Sequence, residues 1–388
     1  MRGYYGKKNY KGRRSAWGSR KAPGGGLKIA FIVAAVLIVL TVGLNLLARN
    51  VDGFAEWYSG NFYPIIVNTV GRLFGLFPFA VGEFLLYAAI IAAVALIIFA
   101  IVKIARADRE RKIYVLRTIA TALCTLSAVA MIFTLNCGIN YFRDPFSVKS
   151  GLPTNEKYTP QELANLCVYL VQGANTYADK VTVGSDEILT EGEEDLHTDC
   201  VKAMQRLGAR YGSLAGFYPQ AKGVLFSEFM NQCRILGIYD PFTVEANYNN
   251  ASPYFARPMT ICHELSHLKG FMREDEANFI AYLACRDSGN DILCYSAYTD
   301  ALIYALNAFH SVASDAVYAE LYSYISPQVK AELAANNEFW ANYETPVADV
   351  AENVNNGYLI SQGQSDGTKS YGRFVDLMIY DYKANIAS

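Results

Sequence analysis

The chain has 388 residues, of which 52% are hydrophobic and 18% charged, with a net charge of −2. That near-neutral total sums a basic N-terminal tail and an acidic remainder, so it does not describe a basic protein built around nucleic acid. Apolar residues are crowded into the first third, which excludes a simple water-soluble domain.

The tail, residues 1–26, is rich in Gly and Tyr and reads as disordered. Nine Lys and Arg residues precede or open the first apolar run: Arg2, Lys7, Lys8, Lys11, Arg13, Arg14, Arg20, Lys21 and Lys28. From Leu27 to Ala48 only Lys28 is charged, and at roughly 1.5 Å per residue this run is long enough to cross a hydrocarbon core of about 30 Å. Further apolar runs cover about Phe79 to Ile104 and Tyr114 to Ile139. Three transmembrane helices over residues 27–140 are therefore expected, the third diluted by Thr118, Thr121, Thr125, Ser127 and Thr134, which helix packing tolerates. Basic residues before the first run and between the second and third (Lys103, Arg106, Arg109, Arg111, Lys112) mark the cytoplasmic side. Residues 141–388 are thus expected outside the cytoplasm. The basic tail is read as a topology determinant, with no nucleic-acid partner.

Eight cysteines contain no CxxC pair, so a cysteine-bound zinc is not expected. They read mostly as small buried hydrophobes.

The last segment is mainly helical in pattern with a small β element. Thr159, Pro160 and Glu162 form a helix start, with the helix running to about Ala178. A second helix is expected over about Glu194 to Tyr211. Short extended segments are expected at Val224 to Phe226 and at Pro241 to Tyr248. Helices follow at about Pro258 to Lys269, Glu274 to Arg286, Asp291 to Val312 and Pro327 to Asn353. The polar stretch from Asn356 reads as a turn-rich connection before a last helix near Arg373 to Tyr382.

The string HELSH puts His263 and His267 one helical turn apart on one face, the spacing a single zinc ion needs. Glu264 between them is placed to act as general base. No third histidine is close; His197 and His310 are distant and read as structural. Gly270 can end the helix in a left-handed conformation, and the following helix offers Glu274 or Glu276 as third ligand. Two positions make about 200° of rotation, so both cannot face one ion. Glu274 shares its face with Ala277, Asn278 and Ala281, which allows close approach and lets Asn278 hold a ligand; Glu276 shares its face with Phe279, Ile280 and Leu283. Glu274 is favoured.

These residues resemble the gluzincin group of zinc metallopeptidases, in which HExxH is completed by a glutamate in a following ExxA(D/N) helix. They are similar to membrane-embedded CAAX-processing and heat-shock-type peptidases and to antirepressor-cleaving peptidases. The spacing departs from gluzincins, since Glu274 follows His267 by only seven positions. The glycine three after His267 is instead metzincin-like, with Arg273 where a third histidine would stand. A closer resemblance is to an uncharacterised family of bacterial membrane proteins with HELxHxxGxxREDEANF, a PFTxEAN segment (here Pro241 to Asn247) and SYGRxVDL (here Ser370 to Leu377). The resemblance implies a zincin-like domain holding Zn2+ through His263, His267 and Glu274.

The expected function is a membrane-anchored zinc-dependent peptidase or amide hydrolase acting on a peptide or protein substrate beside the lipid bilayer. Tyr371 or Arg373 would stabilise the oxyanion. The segment Thr243 to Asn247 reads either as an edge strand that receives substrate or as an ordinary internal strand or loop. The alternative is a non-catalytic, zinc-stabilised sensor or cell-envelope assembly protein, against which stands Glu264, a base that a structural site does not need.

Overall fold

In the computed structural model, the described residues are 25–107, 110–153, 157–181, 193–364, 367 and 372–387. The basic tail up to residue 24, part of the linker between the second and third spans, and Tyr371 lie outside the described residues. Three described helices are long and apolar enough to cross a membrane: α1 (Gly25–Asn50), α2 (Val81–Arg106) and α3 (Arg111–Phe133), the last continued by π and 3-10 turns to Phe142. Small residues set the contact between α1 and α3. Ala34, Ala120 and Ser127 are buried there, and Asn45 Nδ2 donates to Thr134 Oγ1 at 3.0 Å.

Between α1 and α2 the chain forms a helical run from Phe54 to Phe74, built of short α and π turns, that the sequence reading did not anticipate. It buries Ala55, Tyr58, Ser59, Tyr63 and Val67 and turns Trp57, Phe62 and Ile65 outward. Glycine and proline inside it (Gly60, Pro64) mask its periodicity. After the third span, Arg143 enters the domain core and lies 3.9 Å over the Phe271 ring.

Helix α4 (Pro160–Ala178) begins with the expected capping box between Thr159 and Glu162, and α5 is Glu193–Arg210. Next come β1 (Lys222–Val224), α6 (Ser227–Gln232), β2 (Gly237–Asp240) and β3 (Glu245–Asn249). The sheet order is β1-β3-β2; β1 pairs parallel with β3 (Lys222 opposite Asn247) and β2 antiparallel (Tyr239 opposite Ala246). This corrects the edge-strand reading of Thr243 to Asn247. Its strand is central, with both edges paired, and β1 and β2 form the two margins. The polar residues of β3 are buried because they serve other elements. Glu245 accepts hydrogen bonds from the backbone of Gly82 at 2.8 Å and Val81 at 3.3 Å, pairs with Lys222, and receives the Thr243 hydroxyl at 2.8 Å. A strand carboxylate thereby caps the N-terminus of α2, where free N–H groups and the helix dipole favour negative charge.

Helices α7 (Arg257–Leu268), α8 (Glu274–Arg286) and α9 (Asp291–His310) follow close to the expected bounds. Then come α10 (Asp315–Ser323), α11 (Pro327–Ala341), α12 (Pro346–Ser361) and α13 (Arg373–Asp381). The single helix expected from Pro327 to Asn353 is two. Thr345 caps the second through the Ala348 backbone N–H, and Pro346 cannot continue the first. That second helix runs on through Asn356 to Ser361, where a turn-rich connection was expected. All eight cysteines are free and six are buried, as their reading as small hydrophobes requires.

Candidate metal centre

Helix α7 starts with Pro258 in its first turn and is buried along nearly its whole length. It ends in a tight reversal: Gly270 has φ 85° and its N–H bonds the His267 carbonyl at 2.8 Å, while the Phe271 N–H bonds Ser266 O at 3.2 Å. Arg143 donates to Lys269 O at 2.9 Å, placing a cation at the helix C-terminus. The reversal delivers α8 back across α7 and sets the Phe271 carbonyl beside His267.

Both imidazoles are oriented by their Nδ1 atoms. His263 Nδ1 lies 2.7 Å from Asn278 Oδ1, and His267 Nδ1 lies 2.8 Å from Phe271 O. With those acceptors each ring's Nδ1–H is engaged, so Nε2 is the nitrogen turned toward Glu274 and the one each ring would offer to an ion once it has lost any proton there. The two Nε2 atoms converge on one carboxylate: Glu274 Oε2 is 3.1 Å from His263 and Oε1 is 3.7 Å from His267. Ligand atoms from all three residues lie within 4.8 Å of one another. Glu276 points elsewhere, into the core, and burial pushes its carboxyl up to about 7.

Two imidazole nitrogens and a carboxylate form the donor set of a catalytic zinc site, three ligands with a fourth position open. Two buried polar atoms beside them, Glu264 Oε2 and Asn278 Nδ2, have no hydrogen-bond partner among the described residues. The residues present therefore fit the ion. Burial opposes charge on His267, but Glu274 outweighs it and raises His267 to about 9. Burial likewise acts against Glu274, yet the two histidines hold its carboxyl far below the usual range.

Glu264 is 4% exposed, and burial lifts it to about 7 although both histidines pull the other way. It abuts β2 at Gly237, where a Cβ would stand 2.5 Å from its Oε1. The three clustered residues and Glu264 line a cavity of about 1240 Å³. Its wall also carries Asn278, Asp300 and Tyr304, together with Tyr141 from the third span's extension and Tyr358 from α12. Burial pushes Asp300 up to about 7, against the pull of His263. Sequence reasoning missed Asp300 and Tyr304: they lie a full helix beyond the motif, and their four-residue spacing on α9 is common in ordinary core helices.

Arg373 pairs with Asp275 at 2.9 Å, on the flank of α8, and is not among the residues lining the cavity. Of the other two histidines, His197 Nε2 meets Tyr248 OH at 2.9 Å and the His310 ring packs on Tyr318, both apart from the cluster.

The fold and site define a mainly helical protein with three helices long and apolar enough to cross a membrane and a His-His-Glu cluster set where those helices meet the following domain. The chain belongs to the family described as "Protein of unknown function (DUF3810)", which matches residues 58–379. No curated protein and no solved structure matches the chain.

Proposed function

We propose that this protein is a membrane-anchored, zinc-dependent peptidase or amide hydrolase whose site faces the outer side of the membrane. The observation that carries the reading is the convergence of His263, His267 and Glu274 beside the buried, half-satisfied carboxylate of Glu264. A structural metal site has no use for such a carboxylate. His263, His267 and Glu274 would hold the ion, which when bound supplies Lewis-acid polarisation of a carbonyl and lowers the pKa of a coordinated water. Glu264, held near 7, is matched to taking a proton at neutral pH and passing it to a leaving amine. Asn278 and the Phe271 carbonyl fix the two imidazoles so that their Nε2 atoms stay available. The β2 margin supports binding of an extended chain, since Gly237, Ile238 and Tyr239 line the cavity next to Glu264. Placement on the outer side rests on the basic residues flanking the spans.

The test compares membranes of cells making wild type and Glu264→Gln, with zinc content measured on both purified proteins. Zinc should be retained in both, and envelope polypeptides cut in the wild type should accumulate uncut in the variant. An unchanged set of cleavage products with zinc intact would remove hydrolysis and leave a structural metal.

A further inference from the structure

The turn that follows β1 and the first turn of α6 carry three largely exposed apolar side chains: Leu225 is 70% exposed, Phe226 57% and Phe229 55%. The two phenyl rings stack with centroids 5.9 Å apart and an interplanar angle of 3°, so they stand out as one slab. An exposed aliphatic and aromatic cluster of this kind marks a contact surface.

Its height relative to the spans is fixed by hydrogen bonds. Glu83, in the first turn of α2, accepts from the backbone N–H groups of Leu225 and Phe226, both at 2.9 Å. Helix α2 has 26 residues and is therefore about 39 Å long, whereas the hydrocarbon core is about 30 Å thick. A helix of that length extends beyond the core, and a first turn carrying the Glu83 carboxylate suits the headgroup layer, as does the Leu225 turn bonded to it. Aromatic residues on the same end of α2 agree: Phe77 and Phe79 are more than 40% exposed, and Phe79 packs edge-on against Phe84 at 5.1 Å.

We propose that the β1–α6 turn with the start of α6, bearing Leu225, Phe226 and Phe229, is seated in the headgroup and upper acyl layer of the same bilayer that the spans cross, giving the sheet its own membrane contact. The lipid surface is the occupant because the patch is continuous with α2 and bonded to it. Rings at an interface need no partner chain, only the boundary between acyl chains and headgroups. The β2–β3 turn is carried to the same level: Asn136 of the third span donates to Pro241 O, and the Asp240 carboxylate packs against Gly82. Ile238 and Phe242, which line the cavity, are 52% and 42% exposed, so one side of the cavity mouth lies along the membrane. The contact itself does not depend on hydrolysis.

The test uses the full chain in nanodiscs, with its three native tryptophans (Trp17, Trp57 and Trp340) replaced by Phe. Leu225→Trp and Phe229→Trp are compared with Val317→Trp on α10, each checked for monodispersity and helical content. Lipids brominated near the top of the acyl chain should quench the first two several-fold more than the third, and aqueous iodide should do the reverse. Tryptophans at 225 and 229 that iodide reaches as readily as 317 would overturn the proposal. Shielding from both quenchers would also overturn it, by assigning the patch to a second protein chain.

Discussion

Gly237 and Glu264 touch across the gap between β2 and α7 in a way only glycine permits: a Cβ at 237 would lie 2.5 Å from Glu264 Oε1 and 2.8 Å from both its Cγ and Thr260 Cγ2. Gly237→Ala should therefore displace the Glu264 carboxylate while leaving the His-His-Glu cluster in place. Overpacking of this kind costs about 1–3 kcal/mol. Zinc content should match wild type and hydrolysis should fall as in Glu264→Gln; wild-type turnover in Gly237→Ala would show that the carboxylate position is not critical.

Asn278 contacts His263 Nδ1 at 2.7 Å and would act on an ion through that ring. Asn278→Ala should lower zinc affinity by about 10–100-fold, the range for lost outer partners, with the helical fold intact. Competition against a chelator of known affinity measures this. An unchanged affinity would mean that His263 keeps its orientation from packing alone.

Glu274 and Glu276 should separate by metal content. Glu274→Gln should lose zinc, whereas Glu276→Gln should keep it. Glu276 also gives a pH signature. Its carboxyl rises from an ordinary 4.5 to about 7 on folding, so the folded chain binds the extra proton between those values and stability falls as pH climbs through that window. Glu276→Gln should flatten the slope of melting temperature against pH between 5 and 7.5. An identical slope in the variant would assign it to other groups.

Zinc uptake should expel a proton. In the metal-free protein Glu274 keeps His267 protonated up to about 9, and a ligand imidazole must be neutral. Titration calorimetry at pH 7.5 in buffers of differing ionisation enthalpy should show release of about one proton per ion, and affinity should weaken as pH falls. Heats independent of buffer would contradict the protonated His267.

Sidedness is tested by reporters. One fused after Ser388 should be active only outside the cytoplasm, and one inserted between Arg106 and Arg111 only inside. The reverse pattern would place the metal centre in the cytoplasm.

The sequence shows the cluster because its parts are local. HELSH, Gly270 and the face shared by Glu274, Ala277 and Asn278 all lie in one helix-turn-helix, where a fixed rotation per residue determines which side chains can meet. Thr159 and Pro160 are equally legible, as start marks that depend on nearest neighbours. The features that enclose the site are not local. β2 is four residues long, too short for alternation to show, and its role comes from Gly237 meeting Glu264, a residue far along the chain. Asp300 and Tyr304 reach the cavity only because α9 packs beside α7 and α8. The buried polar residues of β3 read as an exposed margin until Glu245 is seen to cap a helix from the other end of the sequence.

That cap makes the sheet and α2 interdependent. Glu245 and Lys222 are buried together at the N-terminus of α2, so the sheet holds a pair of charges whose surroundings are completed by a segment made far earlier in the chain, one apolar and long enough to cross a membrane. A domain released from its spans would leave the Gly82 and Val81 amides absent and this pair exposed or unsatisfied, a loss on the scale of a broken buried ion network. The sheet is therefore complete only with the first turn of α2 in place, and residues 141–388 are not a detachable unit.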